Sequence, residues 1–214
     1  MAEKKISVFP SENTRAPLVV VNATGNEGED IHNAIGDRAS LVAVWNLDWN
    51  DDLSPWPAQP VFSNGDPFGG LADRYAAELS GTIVPGIEQR YGLQPAYFAI
   101  AGYSLAGLFA LYSAYRTSMF SRIASVSGSL WYPGFADYAE CHEMMRRPDR
   151  IYLSLGDREE RTANQYMKTV RDCTERLHEK YMREGIDSVL EMNPGNHFQD
   201  AGERLIKGIR WILL

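Results

Sequence analysis

Six short apolar runs punctuate the chain at Leu18 to Val21, Leu41 to Trp45, Tyr97 to Ala101, Ile123 to Ser127, Ile151 to Leu155 and Val189 to Met192. Each is rich in β-branched residues and bounded by turn residues, and several are nearly continuous, as strands buried on both faces are. Between them the apolar period lengthens to that of a helix, over Ala72 to Tyr91, Leu105 to Arg116, Thr162 to Arg183 and Glu203 to Leu213. In the third, Tyr166, Val170, Cys173, Leu177 and Tyr181 define one buried face and leave Arg171, Glu175 and Lys180 outward. Such alternation predicts an α/β protein: a mostly parallel central sheet with helices on both faces, with Ile6 to Phe9 as an N-terminal edge strand. No internal repeat interrupts the pattern.

One segment breaks the rhythm. Asn46 to Gly70 interleaves Pro55, Pro57, Pro60 and Pro67 with Trp49, Trp56, Phe62 and Phe68, too much proline for a helix and too many residues for a plain connection. Two readings stand: an irregular loop tacked down by its aromatics, or a wall over a pocket at the carboxyl edge of the sheet.

A length of 214 residues, 44% of them hydrophobic, suits one domain spanning 1–214. The formal net charge is −7 and no Lys/Arg-rich run breaks the balance, which argues against nucleic acid or an anionic membrane as partner and for a neutral or cationic small molecule. No stretch approaches the ~18 apolar residues of a spanning helix, and MAEKKISVFP lacks the apolar core of a signal peptide, so a cytoplasmic location is expected. Cys141 and Cys173 are isolated and read as reduced core residues. Oligomeric state is not legible.

The candidate chemistry begins at IAGYSLAGLFAL, residues 100–111. A strand that turns sharply into a helix holds a nucleophile in a strained conformation, so the residues two before and two after it must be small. Gly102 and Ala106 meet that condition around Ser104, with Ala106 where glycine is usual. The Leu105 N–H, at the positive end of the helix, is the natural first donor to a developing oxyanion. A phosphate-binding loop is rejected, because Leu108 and Phe109 stand where Lys and Ser/Thr are required.

A serine hydroxyl needs a base. Of the four histidines, His32, His142 and His178 sit in polar surroundings and read as surface residues; His197 instead follows the last predicted strand in EMNPGNHF, at the sheet end that carries Ser104. The base in turn needs a carboxylate. LSLGDREERT places Asp157, Glu159 and Glu160 at the same edge, where they also fit the first turn of a helix as dipole-stabilising acids. The order Ser, acid, His is that of α/β-hydrolases.

At this point the sequence resembles the esterase branch of the α/β-hydrolases that holds esterase D, feruloyl esterases and enterochelin-type siderophore esterases. The resemblance runs from about Leu18 to Leu214 on AGYSLAGLFAL, SVSGSLWY, LSLGDREERT and NPGNHF. It implies a compact α/β-hydrolase fold; the chain departs from the family in being short for that fold, lacking part of the usual N-terminal sheet, and no inserted cap domain is expected. It implies Ser104 as nucleophile, His197 as base and, three residues past the strand-ending Gly156, Glu159 as acid. A second oxyanion donor would come from NATGNEGED, from Ala23 or Thr24.

The leading functional reading is a serine carboxylic-ester hydrolase acting on a small ester, with no metal or organic cofactor implied. Asp48, Asp51 and Asp52 lack the spacing of a calcium loop and read as a solvated, capping cluster. Tyr103, Trp56 and Trp131 are candidate substrate contacts in an aromatic-walled cleft, with Tyr132 beside them. Two alternatives remain: an acyltransferase on the same residues, or a binding module that keeps the hydrolase shape without turnover.

Overall fold

A computed structural model describes residues 3–25, 27–61 and 65–214; Phe62 lies outside them. Seven strands, β1 (Lys5–Phe9), β2 (Leu18–Asn22), β3 (Ser40–Trp45), β4 (Phe98–Tyr103), β5 (Phe120–Val126), β6 (Arg150–Gly156) and β7 (Asp187–Asn193), form one sheet in the order β1-β3-β2-β4-β5-β6-β7. Only β1 is antiparallel, paired to β3 as the expected edge strand. All five residues of β2 and the middle of β4 are buried, because helices cover both faces. That double burial is why these strands read as unbroken apolar runs rather than alternating ones.

The helices are α1 (Glu27–Ile35), α2 (Trp49–Asp52), α3 (Ala72–Glu78), α4 (Val84–Tyr91), α5 (Leu105–Ser113), α6 (Phe135–Cys141), α7 (Val170–Arg183) and α8 (Ala201–Ile212). On one face Leu18, Val20 and Ile100 pack with Leu108, Phe109 and Leu177 from α5 and α7. On the other, Val19, Val21 and Ala99 meet Ile31 and Ile35 of α1 and Ile209 of α8. Burying each Leu, Ile or Val side chain contributes about 1.5–3 kcal/mol, so the two layers together define the sheet's register and leave its carboxyl edge open between them.

Beyond a residue or two at the ends, three of the four expected helices differ from the sequence expectation. The helix over Ala72 to Tyr91 is divided by a π turn at Leu79–Ile83. Pro85, in the first turn of α4, lacks an N–H and would collide with the preceding carbonyls, and the wider turn accommodates it. The helix from Leu105 ends at Ser113, three residues early. The third begins at Val170, preceded only by a 3₁₀ turn at Met167–Thr169. Asn164 Oδ1 takes the Tyr166 and Met167 N–H groups at 2.9 and 3.1 Å and holds the chain in a turn there. Tyr166 is therefore half-exposed rather than on the packed face, and Lys180 is buried and paired with Glu184 rather than outward. Both cysteines are free, as expected; Cys173 is half-buried and packs against the core, whereas Cys141 is exposed and is not a core residue. Asp52 is buried and pairs with Lys4 at 3.3 Å, which removes it from a solvated cluster.

Among the described residues no helix is long and apolar enough to cross a membrane.

Candidate active site

β4 delivers the chain into α5 through a single residue. Ser104 has φ 59° and ψ −122°, a conformation that non-glycine residues rarely adopt. It is held there by neighbours on all sides: its N–H donates to the Val126 carbonyl at 3.1 Å, and its carbonyl accepts from the Gly107, Leu108 and Ser129 N–H groups at 3.0 to 3.1 Å. The small residues around it are required by contact. A Cβ at Gly102 would lie 2.3 Å from the backbone of Ala106, an impossible approach, so the strand and helix close on each other only with glycine there.

The strain aims the Ser104 hydroxyl at the loop following β7. His197 Nε2 lies 3.0 Å from Ser104 Oγ, and His197 Nδ1 lies 2.7 Å from Glu159 Oε2. The three side chains come from the ends of β4, β6 and β7 and form one hydrogen-bonded line. Tyr103 closes it from the side, its hydroxyl donating to the His197 carbonyl at 2.6 Å, and burial raises that phenol's pKa and keeps it a donor.

Glu159 is almost wholly buried, with its side chain 3% exposed. Burial alone pushes its carboxyl up. Hydrogen bonds from His197, the Gly156 N–H and the Ser127 hydroxyl outweigh that and hold it below the ordinary glutamate value. Its neighbours have other partners. Asp157 accepts the Gly195 N–H at 2.8 Å and so ties the β6 turn to the His197 loop, while Glu160 faces Arg171 at 3.7 Å. The expected role of these acids in a helix's first turn fails, because residues 157–160 form a turn and α7 starts ten residues beyond Glu160.

Ser104 and His197 sit where two lobes of a cleft meet. The larger, about 500 Å³, runs between α1 and α8 and is bordered by Thr24, Glu27, Asp30, Tyr103 and Leu205. The smaller, about 260 Å³, is bordered by Val61, Asp66, Phe68, Ser129 and Trp131. Trp49 and Phe198 border both. Both readings of the Asn46 to Gly70 segment therefore hold. Its N-terminal Trp49 and its return through Phe68 wall the cleft, while its middle is anchored: Trp56 donates from Nε1 to the Pro133 carbonyl at 2.9 Å and accepts from the Tyr132 hydroxyl at 2.5 Å through its own carbonyl. Trp56, expected as a substrate contact, borders neither lobe and packs on Tyr112, Tyr132 and Tyr138 instead. Trp131 and Tyr103 do border the cleft.

Of the two residues proposed for the second oxyanion donor, Ala23 is corrected. Its N–H is already given to the Val44 carbonyl at 2.9 Å, and the residue is buried. Thr24 borders the larger lobe, its hydroxyl turned to Glu27 at 2.5 Å. Leu105, as first residue of α5, presents an N–H with no helical partner beside Ser104. The other histidines lie elsewhere, but only His142 is a surface residue: His32 stacks on Phe9 at 5.0 Å, and His178, half-buried, meets Ser188 at 3.0 Å.

The model of a protein family described as "Putative esterase" matches residues 24–211. The chain belongs to this esterase family. Its members hydrolyse ester bonds, and the match spans nearly every element that builds the cleft. Among curated proteins, an uncharacterized protein of Bacillus subtilis (strain 168), YbbA, is 24% identical over 170 residues, covering 76% of this chain and 68% of its own. Among solved structures, the siderophore hydrolase EstA from Aspergillus nidulans superposes with a TM-score of 0.76 at 18% identity, covering 98% of this chain and 89% of that one. An IroE-like serine hydrolase from Shewanella oneidensis gives 0.76 at 16% identity, over 99% and 79%. The enterobactin esterase FES from Shigella flexneri, solved with 2,3-dihydroxy-N-benzoyl-glycine, gives 0.65 at 15% identity, over 99% of this chain and 59% of its own. At these identities the superpositions establish the α/β-hydrolase fold.

The site of this esterase also holds residues the sequence did not announce. Ser127, with φ 45°, is fully buried and donates to Glu159 Oε1 at 2.7 Å. Arg204 of α8, 3% exposed, reaches Glu159 Oε1 at 3.5 Å and the Asn196 and Pro194 carbonyls at 3.1 and 2.7 Å, bracing the loop that carries His197. Ser127 lies within SVSGSLWY without reading as a site residue there, Arg204 lies in no motif, and their contacts with Glu159 span 32 and 45 residues of chain.

Proposed function

We propose that this esterase is a serine carboxylic-ester hydrolase in which Ser104 attacks, His197 carries the proton and Glu159 orients and stabilises the imidazolium. The observation that carries the reading is the continuous line Ser104–His197–Glu159 at 3.0 and 2.7 Å, set on a strained strand-to-helix serine. Ser104 Oγ forms a bond to the ester carbonyl carbon as its proton passes to His197 Nε2, and the carbonyl π electrons move to oxygen beside the Leu105 N–H. Collapse expels the alcohol, which takes the proton from His197. Water, activated by the same histidine, then releases the acid and restores Ser104. A hydrogen-bonded serine, base and acid favour turnover over a binding module; water and a second alcohol compete for the same acyl-enzyme, and hydrolysis is the reading the family supports.

The relatives named for siderophore and enterobactin hydrolysis suggest bulky ester substrates, and a cleft with two lobes meeting at Ser104 suits an ester with a sizeable group on each side. The lining has its own chemistry. Glu27, Asp30 and Asp66 border it, and no Lys or Arg does so among the described residues. A carboxylate-bearing ligand such as the one in the enterobactin esterase structure would meet repulsion here, so the substrate class we assign is a neutral or cationic ester with an apolar or aromatic acyl part.

The test is active-site labelling. A fluorophosphonate probe should modify the wild-type protein and leave Ser104→Ala untouched, and matched ester pairs differing only in a carboxylate or an ammonium group should show the cationic member preferred in kcat/KM. Labelling that persists in Ser104→Ala would remove Ser104 from its assigned role.

A further inference from the structure

Asn22 closes β2, in register with Gly102 of β4, two residues before Ser104. It is 2% exposed and borders the larger lobe of the cleft. Its amide is engaged on one side only. The Tyr75 hydroxyl donates to Asn22 Oδ1 at 2.6 Å, whereas Nδ2, also buried, has no partner among the described residues. This fixes the orientation of the amide. Tyr75 is wholly buried and burial, ahead of the nearby Asp52 and Glu78 carboxylates, raises its pKa well above 10, so its hydroxyl remains protonated and needs an acceptor. Turning the amide over would set an N–H₂ against that hydroxyl and leave the phenol's hydrogen without its oxygen.

Buried polar groups without partners are rare in folded proteins, and one bordering a reactive cleft calls for a ligand. On this side of the developing oxyanion the candidate donors are the Thr24 N–H and Asn22 Nδ2. Leu105 supplies one N–H from α5, and the loop after β2 would be expected to supply another, but the Ala23 N–H is taken by Val44.

We propose that Asn22 Nδ2 is the second donor to the oxyanion, with Tyr75 as the residue that positions it. The inference rests on the serine-hydrolase reading above. As Ser104 Oγ bonds to the carbonyl carbon and its proton moves to His197 Nε2, the carbonyl oxygen gains a full negative charge and draws the hydrogen bond from Asn22. The donor is anchored in advance by a phenol on α3, so no reorganisation accompanies the step. Its class of ligand is the tetrahedral oxyanion of an ester or of an inhibitor that mimics it.

The experiment compares Asn22→Ala, Asn22→Asp and Ser104→Ala in ester turnover and in affinity for a boronic acid that forms a tetrahedral adduct on serine. Asn22→Asp keeps an acceptor for Tyr75, and its ionised form removes the donor while adding a buried negative charge. Both Asn22 variants should lower kcat about 10²–10³-fold with KM changed less than about threefold, and weaken the boronic acid in parallel. Tyr75→Phe should give a smaller loss of kcat. If Ser104→Ala is inactive while Asn22→Ala retains kcat within about threefold, or if the loss falls on KM with boronic acid affinity unchanged, Asn22 is not the donor and the backbone of the Thr24 loop takes that place. If Ser104→Ala stays active, the serine mechanism itself falls, an outcome separate from the first. Should Asn22→Ala fail to fold, Asn22→Leu, which removes the donor without adding a charge, decides by the same criteria.

Discussion

Ser104 leaves β4 at φ 59° and Ser127 leaves β5 at φ 45°, so two adjacent parallel strands both end in a left-handed serine. Their surroundings differ. Ser104 is half-buried and turns its hydroxyl into the cleft, toward His197; Ser127 is fully buried and turns its hydroxyl inward, to Glu159. Left-handed backbone at a residue with a Cβ costs on the order of 1–3 kcal/mol at each place. In one place the strain exposes the hydroxyl proposed as nucleophile, and in the other it holds the carboxylate two hydrogen bonds away. The site is thus built as a line of four side chains whose two ends are set by the same backbone device.

The comparison breaks most sharply at the exposed end. Ser104→Ala should lower ester turnover by at least ~10⁴-fold while the far-ultraviolet spectrum and melting temperature stay close to wild type, since it deletes one oxygen among small neighbours. Next comes the carboxylate between the two serines. Glu159→Gln should lower kcat about 10³–10⁴-fold, with Asp157→Asn and Glu160→Gln within about tenfold of wild type. Equal losses for all three would mean that the turn is acting only as a scaffold.

The buried end gives a smaller effect. Ser127→Ala removes one of the donors that hold Glu159, and steady-state kinetics should show a loss of about tenfold, the weight of one hydrogen bond to a charged group. Ser127→Gly loses the same hydroxyl but releases the strain, so it should match Ser127→Ala in activity and exceed it in stability by about 1 kcal/mol in urea titrations. If glycine is instead the less stable, the strain assigned to Ser127 is absent.

The mildest test is acidification. Because the folded Glu159 carboxyl lies below its ordinary value of 4.5, the unfolded chain binds the extra proton first. Its stabilising contribution is complete above that value and is lost as pH falls through the lowered one. Glu159→Gln should flatten the acid limb of stability, read as urea midpoints from about pH 6 to pH 3, and Ser127→Ala should flatten it partly.

How much of this was legible beforehand follows from where each interaction's partners lie. β2 through β6 could be read because each is a local run buried on both faces. The Ser104 turn could be read because its steric requirement, small residues at Gly102 and Ala106, falls within five positions. α1 escaped notice, since EGEDIHNAI buries only Gly28, Ile31 and Ile35 and its other positions are polar. Ser127, Arg204 and the Tyr75–Asn22 pair escaped for another reason. Their partners are 32, 45 and 53 residues away, and no period along the chain records a contact of that range. Trp56 shows the converse error: an aromatic in a proline-rich loop resembles a substrate contact until its indole N–H is seen to be given to Pro133.

The proposed base, His197, follows the outermost parallel strand. β7 pairs only with β6, and most of its residues are half-buried, whereas β4 is enclosed on both sides. Opening of an edge strand requires less free energy than opening of the centre, so the His197 loop should detach in a fraction of molecules that are otherwise folded. Heating should then silence the protein before it melts: loss of turnover would run several degrees ahead of the loss of helical ellipticity and would reverse on cooling. Amide exchange along Val189 to Met192 would be faster than that of Ala99 to Ala101.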